Sequence, residues 1–299
     1  ETQDSGNDFT NIDIVWEVGI FKAQMKKEGK GHMVDGIVNL ISTANSIIRQ
    51  FIKIKKGNRK TILLNKEKNC KLDFQGEATY SANVVIVVGI KDFKSKGISN
   101  VLGSATVCRT DSVTNHNYIG VFNFNSNNLY SEGMNELDKM NFLLTVVHEF
   151  FHVIAFSQRM IENIGPIDPR LLHLKRILDS GKKLFLPKST HFSQHLIPAE
   201  LMNEKTSGLE VLSIFTLEFI ELTSGIFKTN SSKLPNYYAY ENIENYNHFL
   251  NYKCESDKPS EYRSVFCSKL DEKTRPTFCS GDFMFKSQCN QPLENNCSE

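Results

Sequence analysis

A long apolar segment, NFLLTVVHEFFHVIAFSQ at 141–158, dominates this 299-residue sequence. It contains no proline or glycine, and its polar residues are so few that a helix formed by it must be buried on nearly all sides. Asn135, just upstream, has the side chain of a good N-cap for a helix that begins at Glu136. The sequence therefore predicts one long, almost completely buried helix.

Two histidines and one glutamate interrupt the apolar surface of this helix, in the pattern H-E-x-x-H. His148 and His152 are four residues apart, so both imidazoles lie on one helical face, one turn apart. Two nitrogens placed in this way can bind one Zn²⁺ at about 2.0–2.1 Å. Glu149 follows the first histidine and is placed to act as a general base without binding the ion. Because burial of these groups without a partner would be costly, we predict a zinc site here.

A third zinc ligand must come from elsewhere, because a catalytic zinc ion usually has three protein ligands. In the compact pattern H-E-x-x-H-x-x-G-x-x-H the third histidine would occupy position 158, but this chain has Ala155 and Gln158. The histidines further downstream are His173, His191, His195 and His248. A glutamate ligand, as in gluzincin-type peptidases, is the alternative, and its candidates are Glu200, Glu204, Glu218 and Glu221.

HEFFHVIAFS at 148–157 and HFSQHLIPAELMN at 191–203 resemble the leishmanolysin family of surface zinc metalloproteases. In that family a long insertion separates the H-E-x-x-H helix from the third histidine. The resemblance extends over about 78–230 and implies His191, rather than His195, as the third ligand. It also implies that Met202 is the methionine of the Met-turn, which lies below the zinc site.

The resemblance implies an α+β, metzincin-like fold with a mixed sheet and an active-site helix, a mainly helical middle region and a Cys-rich C-terminal subdomain. We expect an N-terminal catalytic subdomain at 1–157, an insertion with the third ligand and Met-turn at 158–240, and the Cys-rich subdomain at 241–299. The implied function is that of a zinc metalloendopeptidase acting on proteins or peptides. The alternative is an inactive, protease-like surface module for adhesion or binding.

Apolar periodicity predicts several other elements. A 3.6-residue period predicts a helix at 34–54, and a Val- and Ile-rich run predicts a buried strand at 82–90. Residues 118–124 alternate like a strand with one covered face, and we expect this strand to be the sheet edge that pairs with substrate. We expect Cys108 to lie in a loop, and Gly225 to end the helix after the Met-turn. Because Ala155 replaces the glycine of the compact zinc-binding pattern, the helix that carries His148 and His152 is expected to continue past Phe156.

The distribution of seven cysteines indicates an oxidising compartment, and we expect an extracellular or cell-surface protein. Five of them, from Cys254 onwards, lie in the last 46 residues at spacings that favour disulfides over a structural zinc module. Cys70 and Cys108 are expected to form a separate disulfide. Precursors of the leishmanolysin family are kept latent by a pro-segment cysteine on the zinc, and no cysteine precedes Cys70 here, so the resemblance implies that the chain is a mature form.

The net charge and the length of the apolar runs argue against a nucleic-acid partner and against a membrane-spanning segment. With 35 Lys+Arg against 34 Asp+Glu the formal charge is +1, so we expect no nucleic-acid partner. The longest apolar run, 84–90, is far shorter than the ~20 residues that cross a bilayer. A membrane association would therefore need an anchor outside this sequence.

Overall fold

The computed structural model describes residues 8–65, 70, 77–96, 101–164, 168–180, 184–185, 189–193, 196–197, 200–204, 210–234, 273, 277–279 and 286–288. They form an α+β structure. Its helices are α1 (Gly19–Lys27), α2 (Val34–Phe51), α3 (Glu136–Ile154), α4 (Gln158–Glu162), α5 (Leu172–Asp179) and α6 (Ile214–Ser224). Its strands are β1 (Phe9–Asn11), β2 (Ile14–Glu17), β3 (Ile52–Lys55), β4 (Lys60–Leu64), β5 (Ala78–Ala82), β6 (Val84–Lys91), β7 (Gly103–Thr110), β8 (Asn117–Asn125), β9 (Phe227–Thr229), β10 (Thr277–Cys279) and β11 (Lys286–Gln288).

The chain divides into two compact units. The first comprises Glu1–Gly165 and Phe219–Lys233, and the second comprises Pro166–Glu218 and Leu234–Glu299. The boundaries expected from the sequence, after residues 157 and 240, remain predictions. No helix in the described part of the chain is both long and apolar enough to cross a membrane.

A four-stranded mixed sheet with the order β2-β6-β8-β7 forms the centre of the first unit. β2, β6 and β8 are parallel, while β7 pairs antiparallel with β8. Residues 84–89 of β6 are all buried, which explains the continuous Val and Ile run and confirms the predicted strand. The chain places its most apolar strand in the interior of the sheet.

The expectation that residues 118–124 form an exposed edge is wrong. They lie within β8, which has β6 on one side and β7 on the other, and both faces of β8 are covered. On one face Ile119 and Val121 pack into a cluster with Ile62 and Leu64 of β4. On the other, Gly120 lies so close to Val153 of α3 that a Cβ atom would be 2.6 Å from a valine methyl group. Gly120 interrupts the apolar pattern of the strand, but because it has no side chain α3 can pack closely against this face of the sheet.

Cys108 lies in a strand, not in the predicted loop. It is a residue of β7, the edge strand, and its side chain belongs to the buried cluster between the sheet and the β4–β5 hairpin. The predicted disulfide between Cys70 and Cys108 is confirmed, with the two Cα atoms 5.3 Å apart. Cys254, Cys267, Cys289 and Cys297 lie outside the described residues, so the bridges expected at the C-terminal end remain predictions.

Helix α2 ends three residues earlier than its period predicts. The predicted helix ran to Ile54, but residues 52–55 form β3, which pairs with β1 and β9. In β3 the buried residues Ile52 and Ile54 alternate with exposed lysines, so a two-residue period replaces the helical one. Gly225 directly follows α6 with φ +63°, which confirms its predicted position at the end of that helix.

Helix α3 begins as predicted and ends earlier than predicted. The Asn135 side chain accepts a hydrogen bond from the Asp138 N–H at 2.8 Å, which confirms the N-cap. The helix stops at Ile154, so the expected continuation past Phe156 is wrong. Ala155 leaves the helix with φ −142°, and the Phe156 N–H bonds back to the Phe151 carbonyl. Phe156 is buried against Phe219 with ring centroids 4.5 Å apart, and the chain must leave the helix to place it there.

Candidate metal centre

The two histidines of α3 face each other, as their spacing predicts. The Nε2 atoms of His148 and His152 are 2.9 Å apart, and the ring centroids are 4.6 Å apart. His148 is buried and His152 is half-buried. The helix therefore brings two imidazole nitrogens to one point near the protein interior.

The ring of His152 is oriented by the main chain that follows the helix. Its Nδ1 lies 2.9 Å from the Phe156 carbonyl oxygen, to which a ring N–H donates. With its proton on Nδ1, neutral His152 has the lone pair on Nε2, on the side of His148. Burial, and secondarily the neighbouring His148, lowers the pKa of His152 to about 3. His152 is therefore neutral at physiological pH, in the form that binds metals.

His191 is the third member of the group. Ligand nitrogens of His148, His152 and His191 all lie within 4.8 Å of one another, and the described residues contain no other group of this kind. Of the other downstream candidates, His173 has its Nδ1 2.8 Å from Glu218 Oε1. His195 and His248 lie outside the described residues. The structure thus brings together the three histidines that the family resemblance selects.

Short hydrogen-bonded contacts hold the segment around His191. Ser189 Oγ lies 2.9 Å from His191 Nδ1 and accepts the His191 N–H at 3.2 Å. The next residue, Phe192, forms bridges with Phe185 and with Asn203, and its N–H donates to the Met202 carbonyl at 3.0 Å. Met202 is fully buried in the turn that begins at Glu200. Met202 is therefore tied by the main chain to the residue that follows His191.

Glu149 is buried beside the two histidines of α3, with 8% of its surface exposed. Burial raises the pKa of its carboxyl group to about 8, against the opposing effect of a hydrogen bond from the Ala105 N–H. Ala105 belongs to the edge strand β7, which packs alongside α3. The sheet edge and the glutamate are therefore in direct contact.

The glutamates proposed as alternative third ligands have other roles in the structure. Glu200 is buried and accepts hydrogen bonds from the Met202 N–H and from the hydroxyl groups of Ser213 and Thr216. Glu218 accepts from the Leu174 N–H at 2.8 Å, and Glu221 accepts from the Thr229 N–H at 2.7 Å. Glu204 is exposed. In the described residues, no glutamate belongs to the histidine group.

Three supporting contacts were not predicted from the sequence: the Phe156 carbonyl on His152, the Ser189 hydroxyl on His191 and the buried Glu200 carboxylate. The first two have weak local signals. A residue four positions after a helical histidine and a serine two positions before a loop histidine are both within hydrogen-bond reach of the ring. For Glu200 only the bond from the Met202 N–H is local; the side-chain partners Ser213 and Thr216 are more than ten residues away in sequence and have no local signal.

The donor set fits zinc. Tetrahedral coordination at about 2.0–2.1 Å places ligand nitrogens about 3.3 Å apart. The Nε2 atoms of His148 and His152 are 2.9 Å apart, slightly closer than this value, and the ligand nitrogens of all three histidines lie within 4.8 Å of one another, an upper limit that includes it. Three imidazoles without a carboxylate ligand suit zinc far better than magnesium or calcium, which prefer oxygen.

Compared with models of known protein families and with curated protein sequences, the chain shows no match. Its chemistry must therefore be inferred from the three histidines, the glutamate and their surroundings.

Proposed function

We propose that this protein is a zinc-dependent endopeptidase of the leishmanolysin type, with the metzincin-like arrangement of helix, edge strand and Met-turn. One observation carries the proposal: three imidazole nitrogens, from His148, His152 and His191, lie within 4.8 Å of one another next to a buried glutamate. Three neutral ligands leave a fourth position for water, which is the arrangement of catalytic rather than structural zinc sites.

Glu149 is the general base of the proposed reaction. Zinc, when bound, polarises the scissile carbonyl group and makes the attacking water more acidic. A carboxylate oxygen of Glu149 takes a proton from that water and then delivers it to the leaving amine. The hydrogen bond from the Ala105 N–H holds the carboxylate during both steps.

The peptide substrate is proposed to pair with β7. This strand is the antiparallel edge of the sheet and, in the described residues, β8 is its one partner strand. An extended peptide can add to such an edge through main-chain hydrogen bonds, independent of its sequence. The contact between Ala105 of β7 and Glu149 places this edge beside the proposed base. β7 thus takes the role that the sequence pattern assigned to residues 118–124.

The Cys70–Cys108 disulfide supports an extracellular or cell-surface location, because such bonds persist in oxidising compartments. It also fixes the edge strand, since Cys108 is a residue of β7.

Casein zymography of the purified chain, with and without a zinc chelator, tests the proposed function. We expect cleavage that the chelator abolishes and that added zinc restores. The Glu149→Gln variant is the matched control, because it removes the base and leaves the three histidines intact. Zinc binding without cleavage in the wild type would instead support the adhesion or binding module.

A further inference from the structure

The histidines of the proposed zinc site are oriented by different kinds of group. His152 is held by a main-chain carbonyl, that of Phe156, which no substitution removes. His191 is held by a side chain, the hydroxyl of Ser189. A substitution of Ser189 can therefore remove a contact that orients His191, whereas no substitution removes the carbonyl that orients His152.

The Ser189 hydroxyl contacts both the main chain and the ring of His191. Its oxygen is 3.2 Å from the His191 nitrogen, whose N–H it accepts, and 2.9 Å from Nδ1. A serine oxygen has two lone pairs, so it can accept the main-chain N–H and a ring N–H at the same time. Both bonds span two residues, and together they fix the ring relative to its own backbone.

The tautomer of His191 gives this contact a chemical consequence. If the proton is on Nδ1 and is donated to Ser189, the Nε2 lone pair is available to a metal ion. If the proton is on Nε2, the ring cannot bind through that atom. A partner that accepts from Nδ1 fixes the tautomer and raises the basicity of the metal-binding nitrogen.

We propose that Ser189 is a positioning residue for the third zinc ligand: its hydroxyl accepts the Nδ1 proton of His191 and directs Nε2 to the metal. This inference rests on the proposed zinc site and adds a residue to it. His191 lies outside the described helices and strands, and the Ser189 hydroxyl contacts both its main-chain N–H and its ring.

Zinc affinity, measured by competition with a chromophoric chelator, tests the proposal without relying on peptidase activity. We expect Ser189→Ala to weaken zinc binding roughly 10- to 100-fold, as loss of such partners does at other sites. Ser189→Thr, which keeps the hydroxyl, should retain wild-type affinity. Thr190→Ala removes the neighbouring hydroxyl and should also bind zinc as the wild type does.

A proton signal of the zinc-loaded protein gives an independent readout. In a sample with ¹⁵N-labelled histidine, the Nδ1 proton of His191 should be protected from exchange in the wild type and lost in Ser189→Ala. Equal zinc affinity of wild type and Ser189→Ala, with both folded, would overturn the inference and leave the proposed function standing. Weaker binding by Ser189→Ala in a protein that cleaves no casein would support the inference and reject the function. A wild type that binds no zinc would overturn both.

Discussion

The α3 helix and the segment at 189–203 contribute to the same histidine group by different physical means. In α3, one helical turn sets the separation of His148 and His152, and their Nε2 atoms are 2.9 Å apart. Around His191, isolated bridges of Phe192 and contacts of His191 with the Ser189 hydroxyl, which accepts its main-chain N–H, replace regular structure. One helical turn is thus enough to specify a pair of ligands, whereas the third also depends on contacts between separate segments, such as the bridges of Phe192 with Phe185 and Asn203.

The largest effect is expected at Glu149. Glu149→Gln should lower peptidase activity by roughly 10²- to 10⁴-fold, because it removes the general base. Zinc content should stay at the wild-type value, since none of the three histidines changes. Rates of peptide hydrolysis and zinc content by mass spectrometry measure both quantities. A variant that keeps its activity would show that another group moves the proton.

Replacing one ligand from each region sharpens the comparison. His152→Ala and His191→Ala should both lose zinc, which lowers the melting temperature of the zinc-loaded protein. In the presence of a chelator, His152→Ala should still be less stable, because it removes the hydrogen bond from His152 to the Phe156 carbonyl. His191→Ala should then melt close to the metal-free wild type. Identical melting temperatures of His152→Ala and His191→Ala, both with and without zinc, would contradict the idea that the two histidines are held by different contacts.

The disulfide is expected to stabilise the first unit alone. The double variant Cys70→Ser, Cys108→Ser should lose roughly 2–4 kcal/mol of stability, the usual effect of opening a disulfide loop. Denaturant unfolding of the metal-free protein measures this loss. Zinc affinity of the folded variant should remain unchanged, because neither cysteine belongs to the histidine group. A double variant that binds zinc more weakly but unfolds with unchanged free energy would contradict the expectation that the disulfide affects stability and not zinc affinity.

The buried Glu200 is expected to make the free energy of unfolding depend on pH. Burial raises the pKa of Glu200 to about 7 from its usual 4.5, so the folded state binds an extra proton between these values. The contribution of Glu200 to stability should therefore be present below about pH 4.5 and be lost as pH rises through about 4.5–7, by roughly 3 kcal/mol at most. Glu200→Gln should remove this part of the pH dependence. The difference in unfolding free energy between wild type and variant, measured with chelator at pH 5 and pH 7, isolates it.

Sequence reasoning succeeded where the signal was local. A long apolar segment without proline or glycine predicted α3, the four-residue spacing predicted its histidine pair, Asn135 marked the start of the helix, and a continuous apolar run marked β6. It failed for residues 118–124, whose alternation suggested a strand with one exposed face. The strand is interior because β6 and β7 pair with its two edges, and its second face is covered because Gly120 accommodates Val153 of α3; single-sequence periodicity shows neither contact.

The remainder of the candidate site depended on tertiary structure. The sequence alone left four histidines and four glutamates open as the third ligand, and the family resemblance selected His191. The hydrogen bonds of Glu200 to Ser213 and Thr216 then explain why that carboxylate serves the turn. Such networks form between residues that the chain brings together only on folding, so no local pattern predicts them.

X-ray absorption at the zinc edge of the purified wild-type protein measures the number and kind of ligands at the proposed zinc site. The account predicts one zinc ion per chain, bound by three imidazole nitrogens and one oxygen at about 2.0–2.1 Å. Glu149→Gln should give the same spectrum, and His191→Ala should lose one imidazole shell or the metal itself. A protein without stoichiometric zinc, or a shell containing sulfur or fewer than three imidazoles, would contradict the account.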